Sequence, residues 1–239
     1  MALPFFYTET ITSSQNTILL NEENSRHIVQ VLRMLEGRQI NLTDGLGNIY
    51  TAEIVEAHKK KCTVKIIDTL KQIAPVKKVC IALSPIKNSS RFEWFLEKAT
   101  EIGVTEIAPL LCERTEKQHL KFGRLHGILV SAMLQSQRAW LPILSEPINF
   151  EKFLKENTST NKFIAHCDEQ DKISLKEIIG QSTTQLNKQS RILIGPEGDF
   201  TKDEIAIALQ NNFTPVALGN TRLRTETAAL VAATLLCVS

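Results

Sequence analysis

Ile192-Leu193-Ile194-Gly195-Pro196-Glu197-Gly198-Asp199-Phe200 and Leu218-Gly219-Asn220-Thr221-Arg222-Leu223-Arg224-Thr225-Glu226-Thr227-Ala228 decide how this chain is read. Each segment follows a short apolar run and precedes a helical pattern. Two such loops at the ends of neighbouring strands can shape a pocket from backbone groups, because glycine permits close approach and a helix start leaves free N–H groups. The glycines of Gly195-Pro196-Glu197-Gly198 are three apart, which is wrong for both the dinucleotide fingerprint and the P-loop. Glu197 and Asp199 would repel phosphates, so a neutral or cationic ligand suits the loop. A plain strand-to-helix connector would carry the same residues.

Upstream of these loops, strands and helices alternate. Val79 to Leu83, Ile107 to Leu111, Phe163 to Ala165, Ile192 to Ile194 and Val216 to Leu218 read as strands. Phe92, Phe95, Leu96, Ala99 and Ile102 mark one helix face, opened by a capping box at Ser90-Arg91-Phe92-Glu93 and stopped by Gly103. Leu125, Ile128, Leu129, Ala132 and Met133 mark a second helix. Thr201-Lys202-Asp203-Glu204 is a second capping box, and Ala228 to Val238 is the last helix. The rhythm predicts an α/β unit with a parallel sheet covered on both faces, where ligands sit beyond the carboxyl ends of the strands. The last helix is apolar almost all round, so it packs in its own core or against a second subunit, and a symmetric dimer is inferred. Thr225 or Thr227 could cap it.

The first seventy or so residues read differently. Arg38 to Thr43, Ile49 to Val55 and Cys62 to Ile67 are strand-like, with turn signals at Asp44-Gly45 and Gly47-Asn48. One helix is expected, capped by Asn21, with Ile28, Val31, Leu32 and Leu35 on its apolar face and Gly37 at its end. Short strands with tight turns suggest a small barrel. Thr69 to Lys78, with Pro75 and several lysines, reads as a linker.

Composition sets further bounds. At 239 residues and 43% hydrophobic, the chain can build one large or two smaller cores. A net charge of +2 leaves nucleic acid open, provided that the basic residues are sorted onto one face. The five cysteines are spread out with no C-x-x-C pair, so neither a disulfide framework nor a zinc site is expected. No signal peptide is indicated, and the run Ala228 to Val238 is too short to span a bilayer. A soluble intracellular protein is therefore expected. There is no G-x-S-x-G elbow and no H-E-x-x-H pair. Arg26, His27 and Arg33 form either a solvated helix face or a phosphate-contacting patch, and Lys59-Lys60-Lys61 is a charged turn that could touch an RNA backbone. Arg138, after Gln135 and Gln137, is either a helix cap or a holder of a phosphate or an electron-rich base.

The two C-terminal segments occur in order with His27…Val31-Leu32-Arg33, Lys98-Ala99-Thr100-Glu101-Ile102-Gly103-Val104 and Gln135-Ser136-Gln137-Arg138. Together they resemble the RsmE family of ribosomal RNA uridine N3-methyltransferases, within the SPOUT superfamily. The resemblance runs nearly end to end. It implies a PUA-like, RNA-binding β-barrel over 1–72 and a SPOUT methyltransferase domain with a C-terminal trefoil knot over 73–239. It implies S-adenosylmethionine held between three loops: Ala165-His166-Cys167, Ile194 to Gly198 (Ile194, Gly195, Pro196, Glu197, Gly198), and Leu218, Gly219, Leu223, Arg224, Thr225 and Thr227. It implies a cytoplasmic homodimer, joined through the last helix and the knot, that acts on 16S RNA of the small ribosomal subunit at uridine 1498 of the usual RNA numbering. No metal is expected.

Neutral uridine N3 carries a proton and is a poor nucleophile, so its methylation needs that proton removed or the anion stabilised as it forms. Arg138 or Arg224 is the candidate for stabilising the uracil oxygens, and Glu197 or Glu226 for accepting the proton. Either carboxylate could instead fasten a loop. RNA contacts are expected from Arg26, His27, Arg33, Lys87, Arg91 and Arg114. Three positions depart from the family pattern: Leu3-Pro4 where a basic residue is common, Asp199 for a glycine, and Leu134 for a glutamate. The competing readings are a related knotted methyltransferase acting on another RNA position, and a non-catalytic RNA-binding assembly factor. A nucleotide-dependent dehydrogenase is disfavoured, because its fingerprint is absent.

Overall fold

The computed structural model describes residues 3–9, 11, 16–156, 161–168, 172–181 and 189–238. The chain divides into two units, one of Met1–Ala74 with Met133–Leu141 and one of Pro75–Ala132 with Pro142–Ser239.

In the first unit, β1 (Phe5–Tyr7), β2 (Thr17–Leu19), β3 (Gln39–Thr43), β4 (Asn48–Glu56) and β5 (Thr63–Lys71) form one sheet in the order β1-β3-β4-β5-β2. β1 pairs parallel to β3, and the other pairings are antiparallel. Period-two alternation sends Ile40, Leu42, Ala52, Ile54 and Val64 into a core shared with Phe6, Ile18 and Ile28. Gly47 closes the β3–β4 connection at φ 91°, and a side chain there would run into the Trp140 indole. Its N–H donates to the Ala139 carbonyl, and Gln72 holds both the Ala139 N–H and the Trp140 indole N–H. The expected linker is thus part strand, since β5 continues to Lys71.

The expected N-terminal helix is shorter and wound differently. α1 covers Glu22–Arg26, with the Asn21 side chain as cap, and then gives way to a π-helical turn over His27–Val31. The Leu32 N–H donates to the His27 carbonyl, five residues back. That wider winding breaks the three-four register on which the apolar stripe depended. Ile28 is buried, whereas Val31, Leu32 and Leu35 are 66%, 41% and 71% exposed. Arg33 follows in the left-handed conformation, so the helix stops well before Gly37.

The second unit alternates strand and helix: β6 (Lys78–Leu83), α2 (Ser89–Ile102), β7 (Glu106–Leu111), α3 (Phe122–Gln135), β8 (Ile143–Leu144), β9 (Ile148–Asn149), α4 (Phe150–Lys155), β10 (Asn161–Ala165), β11 (Ile173–Ser174), α5 (Leu175–Gln181), β12 (Gln189–Ile194), α6 (Lys202–Gln210), β13 (Thr214–Ala217) and α7 (Thr225–Val238). The sheet order is β11-β13-β10-β12-β6-β7-β8, with β9 also on β7, and every pairing is parallel. Cys80, Ala82, Ala108, Leu110, Ile164 and Leu193 face one layer with Phe150 and Phe153 of α4 and Ile205 and Ala208 of α6. Residues of the other parity, such as Ile81 and Ile192, face the layer in which α7 packs on β6, β12 and α2. Both faces are covered, as the continuous apolar strands require.

The second expected capping box is present: the Thr201 side chain accepts from the Glu204 N–H, and the Glu204 carboxylate accepts from the Thr201 N–H. The first is not. Asn88 caps α2 by accepting from the Ser90 N–H at 3.0 Å, and Glu93, the residue the box needed, is clamped by Arg124 at 2.7 and 2.8 Å. Charge-assisted pairing to a guanidinium outweighs a local backbone bond.

Candidate active site

Three loops leave the carboxyl ends of adjacent strands β10, β12 and β13. A cavity of about 430 Å³ opens there. Ala165, His166 and Cys167 line it from the end of β10, and Leu218, Gly219 and Leu223 line it from the β13–α7 loop. Lys172, Asn220 and Arg222 complete its polar wall.

Gly195 to Gly198 are not among the lining residues, yet this middle loop is tied to its surroundings at several points. Gly195 packs closely under Phe200, whose ring would lie 3.1 Å from an added Cβ. The Thr225 hydroxyl, at the first turn of α7, donates to the Gly195 carbonyl at 3.2 Å. Arg114 donates to the Gly198 carbonyl at 2.6 Å. The Lys87 N–H donates to Glu197 at 3.0 Å. Asp199 accepts from the Cys167 N–H at 2.8 Å, linking the middle loop to the cavity wall.

The candidate carboxylates occupy different settings. Glu226 is buried and pairs with Arg91 at 3.6 Å. Glu197 is exposed, with one oxygen on Lys87. Arg224 is exposed, just before α7, and Thr227 is half-buried within it. Thr225 is the first residue of α7 and not its cap, and its hydroxyl donates to the Gly195 carbonyl. Three of the expected RNA-contacting residues, Lys87, Arg91 and Arg114, thus gather on the two glycine loops. Arg26, His27 and Arg33 lie in the other unit, as does Arg138.

His166 is 7% exposed, and neither ring nitrogen finds a hydrogen-bond partner among the described residues. Burial lowers its pKa, and the nearby Lys172 ammonium adds to the effect, so the ring is neutral at pH 7. Lys172 itself donates to the His166 carbonyl at 2.9 Å and the Asp168 carbonyl at 2.5 Å.

The RNA methyltransferase domain family matches residues 73–237. The chain belongs to that family. An RNA methyltransferase PUA domain matches residues 20–67. A crystal structure from Porphyromonas gingivalis, described as a probable rRNA-methyltransferase, superposes with a TM-score of 0.89 at 35% identity, covering 99% of this chain and 100% of that one. The ribosomal RNA small subunit methyltransferase E of Neisseria gonorrhoeae, bound to S-adenosyl methionine, gives 0.82 at 29% identity, covering 97% and 95%. The enzyme of that name from Synechocystis is 29% identical over 221 residues, 90% of this chain and 71% of the other.

In this RNA methyltransferase the cavity suits a nucleoside-bearing cofactor. Its volume lies in the range of small-molecule sites. Its neutral imidazole offers one donor and one acceptor, both unpaired among the described residues, where a ligand's polar groups would satisfy them. Sequence reasoning missed Lys172 as a lining residue and reached Arg222 only as part of the loop from Leu218 to Thr225. Lys172 stands in a polar stretch between two strands, where no periodicity or glycine marks it. Arg222 lies inside the quoted loop, where nothing in the residue order separates it from Arg224.

Proposed function

We propose that this protein methylates N3 of a uridine in 16S ribosomal RNA of the small subunit, using S-adenosylmethionine, with uridine 1498 as the target. The observation that carries the reading is the cavity at the carboxyl ends of β10 and β13, with the buried His166, unpaired among the described residues, in its wall. S-adenosylmethionine, when bound there, supplies a methyl group on a cationic sulfur. Ala165 to Cys167 and Leu218 to Leu223 hold it, and the middle loop Ile194 to Gly198 braces the wall.

Glu197 accepts the N3 proton, and Arg224 stabilises the charge that develops on the uracil oxygens. Both side chains are exposed, and the Thr225–Gly195 hydrogen bond joins the loops that carry them. Glu226 fastens Arg91 instead of handling protons, because its carboxylate is buried in that ion pair. Lys87, Arg91 and Arg114 engage RNA phosphates beside the site. Arg26, His27 and Arg33 do so on the PUA-like barrel of residues 1–72, with Arg138 as a further contact.

The methyltransferase domain of residues 73–239 carries a trefoil knot in this reading. Its support is that α7 leaves β13, near one edge of the sheet, and packs on the central strands β6 and β12. The enzyme is a cytoplasmic homodimer joined through α7, whose apolar surface continues to the exposed Val238.

The test incubates the protein with labelled S-adenosylmethionine and small subunits lacking the modification. Label at uridine N3 of the 16S RNA is expected. Label elsewhere would assign another RNA position, and no label with no cofactor binding by calorimetry would leave a non-catalytic RNA-binding factor. Single-turnover transfer by Glu197→Gln, Arg224→Ala and Arg138→Ala checks the residue roles. Near-normal rates with cofactor binding intact would remove them.

A further inference from the structure

Asp199 holds the left-handed backbone conformation at φ 62°, which L side chains adopt at a cost and which glycine adopts freely. It ends a turn that begins at Pro196, whose carbonyl accepts the Asp199 N–H at 2.9 Å. That unfavourable geometry aims the carboxylate across to the next strand's loop, where it accepts the Cys167 N–H at 2.8 Å. Cys167 and its neighbours Ala165 and His166 are wall residues of the cavity. Asp199 itself is not a lining residue.

We infer that Asp199 is a positioning residue that latches the β10 loop in its cofactor-binding shape. The inference rests on the reading of the cavity as the S-adenosylmethionine site. The acceptor that holds the Cys167 N–H belongs to a residue that does not line the cavity, so the bond is made without taking space from a ligand. The other ties on the middle loop run to Thr225, Arg114 and Lys87. None of these runs to the β10 loop, whereas the Asp199 bond ties the two loops beyond the strand pairing that ends at Ala165 and Ile194. With the latch closed, the His166 imidazole is presented in one orientation before the ligand arrives. With it open, ordering the loop is a cost charged against binding.

Two variants separate this from a generic structural role. Asp199→Gly removes the acceptor and relieves the backbone, so the fold is retained, with a melting temperature within about 3 °C of the parent. Asp199→Asn keeps an acceptor oxygen and a side chain that tolerates the left-handed region. In calorimetry, S-adenosylmethionine should bind Asp199→Gly about tenfold more weakly than the parent, and Asp199→Asn within about threefold of it. Hydrogen exchange without cofactor should show the Cys167 amide protected in the parent and Asp199→Asn, and unprotected in Asp199→Gly. Unchanged affinity in Asp199→Gly overturns the latch, as does an Asp199→Asn variant as weak as Asp199→Gly. A parent protein that binds no S-adenosylmethionine would instead refute the cofactor reading. The exchange experiment then still decides whether the latch exists: protection in Asp199→Gly equal to the parent overturns it.

Discussion

The hydroxyl of Thr225 donates to the carbonyl of Gly195 at 3.2 Å, across thirty residues of sequence and between the two loops that carry the candidate catalytic side chains. The bond is buried, so removing the donor leaves an unsatisfied carbonyl. Thr225→Val keeps the shape and deletes the donor. It should cost about 1–2 kcal/mol of stability and slow methyl transfer more than it weakens RNA binding. Denaturant melts and single-turnover assays check both. Transfer at the parental rate would mean that the loops keep their alignment without it.

Glu226 and Arg91 form a half-buried pair at 3.6 Å. Glu226→Gln leaves Arg91 able to turn to solvent, because that side chain is 42% exposed, and so the fold should lose no more than about 1 kcal/mol. Transfer should fall modestly through a displaced Arg91, and Arg91→Ala should reproduce the effect. A far larger loss in Glu226→Gln than in Arg91→Ala would return Glu226 to the role of proton acceptor.

His166 gives stability a pH dependence. Its folded pKa is lowered by burial and then by Lys172, so between that value and the ordinary one near 6.5 the unfolded chain binds more protons than the folded one. The stability tied to the neutral ring is complete above about pH 6.5 and drains away as pH falls, by at most about 1.4 kcal/mol per unit from this group. His166→Gln should flatten that part of the profile. Urea midpoints on either side of the window measure it, and an identical slope in the variant would assign the effect to other groups.

Gly47 sits at φ 91° against the Trp140 indole. Gly47→Ala adds a strained backbone to a steric collision with a ring, and should destabilise the first unit by about 2–4 kcal/mol. Trp140 fluorescence during unfolding reports it directly. A loss below about 0.5 kcal/mol would show that the indole shifts freely.

Lys87 stands at the middle loop, with its ammonium on Glu116 at 2.7 Å and 73% of its side chain exposed. Lys87→Ala should weaken binding of 16S RNA fragments evenly across sequences and reduce the slope of log affinity against log salt by about one. An unchanged slope would place its charge outside the RNA footprint.

Much of this was written in the residue order. Apolar strands broken by capped helices forced a parallel sheet, because Val79 to Leu83 and Ile192 to Ile194 cannot be satisfied with one face in water. Thr201 and Glu204 specified their capping box through neighbours a turn apart, and Gly103 ended α2 as a local signal should. Local chemistry misled where a distant group competed. Arg124 took Glu93 from the box expected at Ser90, and a π turn at His27 dissolved a stripe that looked like a core face. No spacing rule reveals that Asp199 reaches Cys167, that Thr225 turns to Gly195, or that His166 is buried without a partner among the described residues. The sequence by itself determined the main strands and helices that build the parallel sheet, because those depend on periodicity and neighbours. The tertiary structure alone decided which loop residues meet, because those contacts join positions some thirty residues apart that only sheet order and parallel register bring together.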